Sequence, residues 1–134
     1  MKAAPDLLDE YLSCEQTTAF SWSESDCILF MAGWVKRVNG VDFGAPWRGL
    51  YRSKDESKAL LESLGGLVPL IVECLGPPRM GSRPVRGDVG VLQSDDWTFC
   101  MIFDGDFWAM RDHPIGVRTL RIGVDCVWSV GVSR

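Results

Sequence analysis

The chain has 134 residues, of which 46% are hydrophobic and 24% charged, and its formal net charge at pH 7 is −4. These values predict one globular domain with a sizeable core. The acidic balance argues against nucleic-acid binding, which normally needs a basic patch, and the broken apolar stretches argue against a membrane span or a secretory signal.

Two helices are predicted at the beginning of the chain. The first is expected to extend from about Pro5 to Gln16, with one apolar side formed by Leu7, Leu8, Tyr11 and Leu12. The second is expected to start near Ser23 or Ser25, either of which can cap free amide groups, and to end at Asn39–Gly40. Its apolar stripe consists of Cys27, Met31, Trp34, Val35 and Val38.

Two further helices are predicted before the middle of the chain. The capping-box pattern Ser53-x-x-Glu56 predicts a third helix that extends to about Leu64. A short fourth helix is expected to have Pro69 in its first turn and Gly76 as its stop.

The second half of the chain has the composition of β-structure. The connector GPPRMGSRPVRGD is followed by the runs DVGVLQ, TFCMIFDGDFWAMR, GVRTLRI and VDCVWSVGV, with turn signals such as Asp104–Gly105. This order predicts an α+β fold in which N-terminal helices pack on one side of a C-terminal antiparallel sheet or half-barrel. Within this single domain we expect a helical part at 1–76, a connector at 77–87 and a β part at 88–134.

The five cysteines are irregularly spaced and include no C-x-x-C pair, so we expect free thiols rather than a disulfide framework or a zinc knuckle. The paired acids Asp95 and Asp96 lie in a predicted hairpin loop and indicate a metal site only weakly. We therefore expect no metal or other cofactor.

Cys27 has two interpretations. A helix N-terminus lowers the pKa of a thiol and favours a nucleophile, whereas the neighbouring Asp26 disfavours a second negative charge. The alternative is that Cys27 is simply the first core residue of its helix. A cysteine nucleophile usually needs a histidine base, and the only histidine is His113, in the turn RDHPIG. His113 is therefore either that base or an ordinary turn residue.

Asp88 follows a glycine at the start of a predicted strand. An acid at such a position often accepts hydrogen bonds from turn amides, so Asp88 is expected to hold the turn or to orient the site. The string RGD that contains it is a chance match to an integrin-binding motif.

Six tryptophans are many for this length. Two are predicted to lie in the core, Trp34 and Trp128. The other four are candidates for a protein-binding surface: Trp22, Trp47, Trp97 and Trp108.

The segments FSWSESDCILFMAGWVKRVNGVDFGAPWRGLYRSKDESKALLESLGG, RGDVGVL, MIFDG and VWSV together resemble a family of small phage and prophage proteins encoded among tail genes. That family in turn resembles the NlpC-type cell-wall cysteine peptidases, which have a papain-like fold. The resemblance covers about Phe20 to Val130. It implies that Cys27 occupies the position of the nucleophile and that Gly87–Asp88 matches the Gly-Asp turn with which those peptidases enter a strand.

The resemblance also points to a difference from the peptidases. Their catalytic histidine begins a strand that matches FCMIFDG here, so its position falls on Phe99, beside Thr98. Their third polar residue matches the neighbourhood of Met110. His113 lies a few residues further along the chain. Because loss of a general base typically costs about 10²–10⁴ in rate, the resemblance favours a fold retained without catalysis.

Three hypotheses follow. The first is a structural or assembly protein of a phage tail tip, made in the host cytoplasm, located in the virion and bound to other tail proteins. The second is an active cysteine peptidase or amidase that acts on the bacterial cell wall during phage entry, with Cys27 as nucleophile and His113 as base. The third is a host-side adaptor or inhibitor that binds proteins through its tryptophans.

Overall fold

The computed structural model describes residues 6–79, 83–94 and 97–130. It is an α+β fold, as predicted, in which four helices precede a five-stranded antiparallel sheet. The helices are α1 (Leu7–Gln16), α2 (Cys27–Asn39), α3 (Lys54–Ser63) and α4 (Leu67–Leu75). The strands are β1 (Val89–Gln93), β2 (Thr98–Phe103), β3 (Trp108–Arg111), β4 (Val117–Leu120) and β5 (Cys126–Trp128).

Helix α2 is the central helix of the domain. Its N-cap is Asp26, so the expectation that Ser23 or Ser25 caps it was wrong. Ser25 instead donates its hydroxyl to the Ala19 carbonyl oxygen. Residues 27–32 are all buried, which gives this half of α2 more than the single apolar stripe expected from the sequence. The helix ends at Gly40, whose φ of 80° suits glycine best.

The other helices begin and end close to their predicted positions. Helix α1 starts at Leu7, and Pro5 lies outside the described residues. Leu7 is exposed, because the buried side of α1 is formed by Leu8 and Tyr11. The Ser53 hydroxyl caps α3 by accepting the Glu56 N–H at 3.1 Å, which is the first half of the predicted capping box. The Glu56 carboxylate accepts the Arg52 amide at 3.0 Å instead of that of Ser53, so the second half does not form.

Helix α4 also matches its prediction. It spans Leu67–Leu75, with Pro69 in the first turn and Gly76 as the C-cap. Strand β1 then begins at Val89, beyond the connector.

The sheet has the strand order β4-β3-β2-β1-β5. The turn between β2 and β3 contains the predicted Asp104–Gly105 signal, and the Asp104 carboxylate accepts the Asp106 and Phe107 amides at 2.8 and 2.7 Å. No helix in the described ranges is long and apolar enough to cross a bilayer.

The two faces of the sheet pack differently. One face joins the helices in the main core through Val89, Val91, Cys100, Ile102, Ala109 and Trp128. The opposite face carries a small separate cluster of Met101, Trp108 and Val127. Gly90 makes that cluster possible, since a β-carbon there would lie 2.7 Å from the Trp108 ring.

Two arginines of the connector tie parts of the chain together. Arg79 forms an ion pair with Asp88 and two backbone hydrogen bonds with Val127 of β5, at 2.8 and 3.2 Å. Arg86 binds the carboxylates of Asp6 and Asp9 at the start of α1, both at 2.8 Å. The connector thus holds both the edge of the sheet and the first helix.

Candidate functional site

The start of α2 is built around a buried carboxylate. Asp26 is 1% exposed and accepts the Ser23 amide at 2.9 Å and the Leu29 amide at 3.0 Å. The Tyr51 hydroxyl donates to the same carboxylate. These bonds satisfy free amides of the first helical turn and fix the direction of the next side chain, Cys27.

The residues before Asp26 form a tight turn. Ser23 has a φ of 65°, in the left-handed region that non-glycine residues rarely adopt. Its amide donates to Asp26, and its carbonyl oxygen accepts the Gly49 amide at 3.1 Å. The strained turn is therefore held from both sides, which is a feature that functional sites often share.

Cys27 faces a second cysteine across the core. Its thiol is 5% exposed and is hydrogen-bonded to the thiol of Cys100, which is fully buried in β2. Successive strand residues point to opposite faces, and Cys100 and Ile102 therefore point toward the helices. Phe99 packs with the cluster on the outer face and only borders the Cys27 site. The strand residue that meets Cys27 is thus Cys100, one position beyond the one identified by the resemblance.

The two thiols have opposite acidities. The pKa of Cys27 is lowered, chiefly by the hydrogen bond from the Cys100 side chain, against burial and the charge of Asp26. The Trp97 side chain and the Cys100 backbone lower this pKa further. The pKa of Cys100 is raised well above its ordinary value by burial and by the nearby Cys27. When the pair loses a proton, the negative charge therefore resides on Cys27.

Cys27 lies at a pocket of about 280 Å³ with largely aromatic walls. The Trp22 and Trp97 rings meet edge to face at 6.0 Å, and the Lys54 ammonium lies 5.7 Å from the centre of the Trp97 ring. The residues that line the pocket are Phe20, Trp22, Cys27, Lys54, Ser94, Trp97, Phe99, Met110 and Arg111.

Arg111 brings a buried positive charge to the pocket wall. It is 3% exposed, and its guanidinium donates to the Glu15 and Gly116 carbonyl oxygens at 2.8 and 3.0 Å and to the Glu15 carboxylate. Its Nε–H has no partner among the described residues. A guanidinium cannot take up a proton, so Arg111 cannot serve as a base.

Two neighbouring pockets extend the Cys27 pocket into a cleft. One of about 460 Å³ shares Ser94 and Trp97 with it, and the other, of about 550 Å³, shares Phe20 and Trp22. We call these three pockets together the cleft. The Cys27 pocket therefore adjoins both of the other pockets of the cleft.

His113 lines the larger neighbouring pocket and not the Cys27 pocket. It lies between β3 and β4, in the predicted turn, and its ring is 4.9 Å from that of Phe20. Phe20 borders both pockets. The candidate nucleophile and the candidate base thus line different parts of the cleft.

A family model described as "Domain of unknown function (DUF6950)" matches residues 2–130 of the chain. The chain belongs to the DUF6950 family. No curated protein and no solved structure matches it. The match spans the helices, the sheet and the cleft, so all of these are parts of one DUF6950 domain.

In this DUF6950 domain Asp88 lies away from the Cys27 pocket. Its carboxylate accepts the Val85 amide at 2.9 Å and pairs with Arg79. The adjacent Gly87 carbonyl oxygen accepts the Trp34 indole N–H at 2.9 Å, toward the C-terminal half of α2. Asp88 therefore holds the turn before β1, and its contacts give it no part in orienting Cys27.

More of the tryptophans lie in the core, and fewer on a surface, than the sequence analysis predicts. Trp34 and Trp128 are buried, as predicted. Trp47 and Trp108 are also buried, at 0% and 3% exposure, so assigning them to a binding surface was wrong. Trp47 is buried because its loop packs down on the main core, and Trp108 because it fills the outer-face cluster. Trp22 and Trp97 do line the cleft.

Among the described residues of this DUF6950 domain, no group of three or more potential metal ligands is found. Asp95 and Asp96 lie outside those residues. The partner that sequence reasoning missed is Cys100. Its only signal was a cysteine at the centre of the strand run TFCMIF, and strand pairing was needed to reveal which face it occupies.

Proposed function

We propose that this DUF6950 chain is an NlpC-like domain that has lost peptidase catalysis and serves as a structural or assembly protein of a phage tail tip. The observation that carries the proposal is Cys100. A buried thiol faces Cys27 from β2, in the region where the peptidases place their histidine. The helices-then-sheet order and a cysteine at the first residue of the central helix support the NlpC-like assignment.

The chemistry of the pocket supports the loss of catalysis. Among the described residues that line it there is no histidine, aspartate or glutamate. Phe99 and Met110 carry no group that can transfer a proton, and Arg111 is a permanent cation. Cys100 holds its proton strongly because its pKa is raised. Without a histidine or carboxylate as base, assisted proton transfer to the leaving group is lost, which typically costs about 10²–10⁴ in rate.

The cleft supports a role in binding. Trp22 and Trp97 are partly buried and line its wall, and partly buried tryptophans often act as anchors in protein interfaces. We propose that an extended segment of another tail protein occupies the cleft, in the direction in which a peptidase would hold its substrate.

Complementation of a phage that lacks this gene tests the proposal. We expect the C27S chain to restore tail assembly and infectivity to the level of the unmodified chain, because a structural role does not need a nucleophilic thiol. We also expect W97A to weaken binding to the tail partner by about tenfold or more, since an interface tryptophan commonly contributes about 2 kcal/mol. F107A is the matched control, because Phe107 is an exposed aromatic outside the cleft.

Normal assembly combined with cleavage of peptidoglycan stem peptides would overturn the loss of catalysis, provided that C27S abolished the cleavage. Equal effects of W97A and F107A on partner binding would overturn the role of the cleft.

An active cysteine peptidase or amidase is the second candidate, and the lowered pKa of Cys27 favours it. It predicts that purified protein cleaves stem peptides and that H113A and C27S each abolish the cleavage. If C27S abolishes cleavage but H113A does not, His113 is not the base.

A further inference from the structure

Cys27 and Cys100 are the two cysteines whose thiols contact each other in the described structure. The other three cysteines lie elsewhere. Cys14 is exposed in α1, Cys74 is partly buried in α4 and Cys126 is partly buried in β5. The contact joins two regular elements, the first residue of α2 and the middle of β2.

Access to the two thiols is unequal. Cys27 lines the aromatic pocket, whereas Cys100 is fully buried and is not among the residues that line it. A small molecule in the pocket therefore contacts the Cys27 residue but not Cys100. Such a pair has the arrangement of an attacking thiol with a resolving thiol behind it.

We propose that Cys27 and Cys100 form a dithiol site that reduces small aromatic disulfides, with Cys27 as the attacking thiol and Cys100 as the resolving thiol. This inference does not depend on the proposed role in a phage tail.

The reaction proceeds in two exchanges. The Cys27 thiolate, whose proton has gone to solvent, attacks one sulfur of the disulfide RSSR, breaks its S–S bond and releases RS⁻. The Cys100 thiol then attacks the Cys27 sulfur of the mixed disulfide and passes its proton to the departing sulfur, which leaves as the second RSH. The first RS⁻ takes up the proton that Cys27 had given to solvent, so that two cysteine thiols and RSSR give the Cys27–Cys100 disulfide and two RSH. The protein is oxidised by two electrons and RSSR is reduced by two.

The acidities of the pair agree with this order of events. The lowered pKa of Cys27 increases its thiolate fraction, and the thiolate is the attacking species. The aromatic walls of the pocket favour an aromatic reagent, and the cations Lys54 and Arg111 favour a departing anionic thiolate.

The test uses 4,4′-dithiodipyridine, an aromatic disulfide whose thiol product absorbs light. All measurements are made in a background chain with C14S, C74S and C126S, so that Cys27 and Cys100 are the remaining thiols. We expect release of two equivalents of the thiol product. The mass of the protein should fall by two hydrogens, and a non-reducing peptide map should show the Cys27–Cys100 disulfide.

Two variants in this background separate the roles. C100A should release one equivalent and retain a stable mixed disulfide on Cys27. C27A should react more slowly than C100A, since Cys100 cannot reach the pocket. Circular dichroism of both variants confirms that each is folded before the reaction is measured.

A mixed disulfide on Cys27 that persists in the background chain overturns the resolving role of Cys100. Faster reaction of folded C27A than of folded C100A overturns the attacking role of Cys27. Neither result affects the assembly role, which the complementation experiment tests with C27S.

Discussion

Helices α1 and α2 both begin with an aspartate N-cap, but in opposite surroundings. The Asp6 carboxylate of α1 is exposed, forms a capping box with Asp9 and binds Arg86. The Asp26 carboxylate of α2 is 1% exposed and is satisfied by two backbone amides and the Tyr51 hydroxyl.

Burial gives the same cap chemistry two different uses. At α1, water can replace each bond that is lost, so the cap contributes only modest stability. At α2, the carboxylate is shielded from solvent, and its bonds position the thiol that follows. The comparison predicts that substitutions at the start of α2 change stability and thiol reactivity strongly, whereas substitutions at the start of α1 change stability only slightly.

The largest effect is expected for D26A. It removes the cap and leaves the Tyr51 hydroxyl and the Ser23 amide unpaired in the core, so we expect the free energy of unfolding to fall by about 2–4 kcal/mol. Urea denaturation measures this. D55A is the matched control, because Asp55 is an exposed acid in the first turn of α3. Similar losses in the two variants would show that burial does not distinguish Asp26.

The second effect concerns the reactivity of Cys27. The measurement uses the chain with C14S, C74S and C126S. In this chain we expect the pH midpoint of Cys27 alkylation to lie below the midpoint for the same thiol in the urea-unfolded chain. The reason is the hydrogen bond from Cys100, which stabilises the thiolate. C100A should raise the midpoint. A midpoint that is unchanged by C100A contradicts this cause.

A smaller effect is expected for D6A. The variant removes an exposed N-cap and its bond from the Asp9 amide, which is 2.9 Å long, so we expect a loss of about 1 kcal/mol. Thermal unfolding measures it against E10A, an exposed first-turn acid of the same helix. A loss as large as that of D26A would remove the contrast between the two helix starts.

The smallest effect is expected for R86A, about 0.5 kcal/mol, because the Arg86 and Asp6 side chains are 37% and 54% exposed and solvent screens the pair. Arg86 holds the pKa of Asp6 well below its usual range. The pair therefore stabilises the fold above the unfolded-state pKa of Asp6, and this contribution is lost as the pH falls through the folded-state pKa. R83A, at an exposed connector arginine, is the control. Thermal unfolding at neutral and strongly acidic pH should show the R86A effect only at neutral pH.

Features that depend on neighbouring residues could be predicted from the sequence. Ser53 and Gly76 bound their helices as expected, and Asp104–Gly105 forms a turn between strands. The N-cap of α2 could not be chosen from the sequence, because three residues that can cap a helix, Ser23, Ser25 and Asp26, lie within four positions. The choice of Asp26 depends on Tyr51, which arrives from a distant loop.

The candidate site was only partly predictable for the same reason. Cys27 could be found from its place at a helix start. Cys100 could not, because a shift of one residue in strand register exchanges the two faces of a sheet. The register that pairs Val91 with Cys100 is set by contacts between distant segments. The burial of Trp47 likewise depends on how a long loop packs, which composition alone does not reveal.

The two backbone hydrogen bonds between Arg79 and Val127 have a consequence for how molecules of this kind can associate. Strand β5 lies at one edge of the sheet, and edge strands invite strand addition by other chains. At Val127 both outward backbone groups already bind Arg79. A neighbouring chain therefore cannot extend the sheet there without breaking these bonds, so strand addition is blocked at this position of the β5 edge.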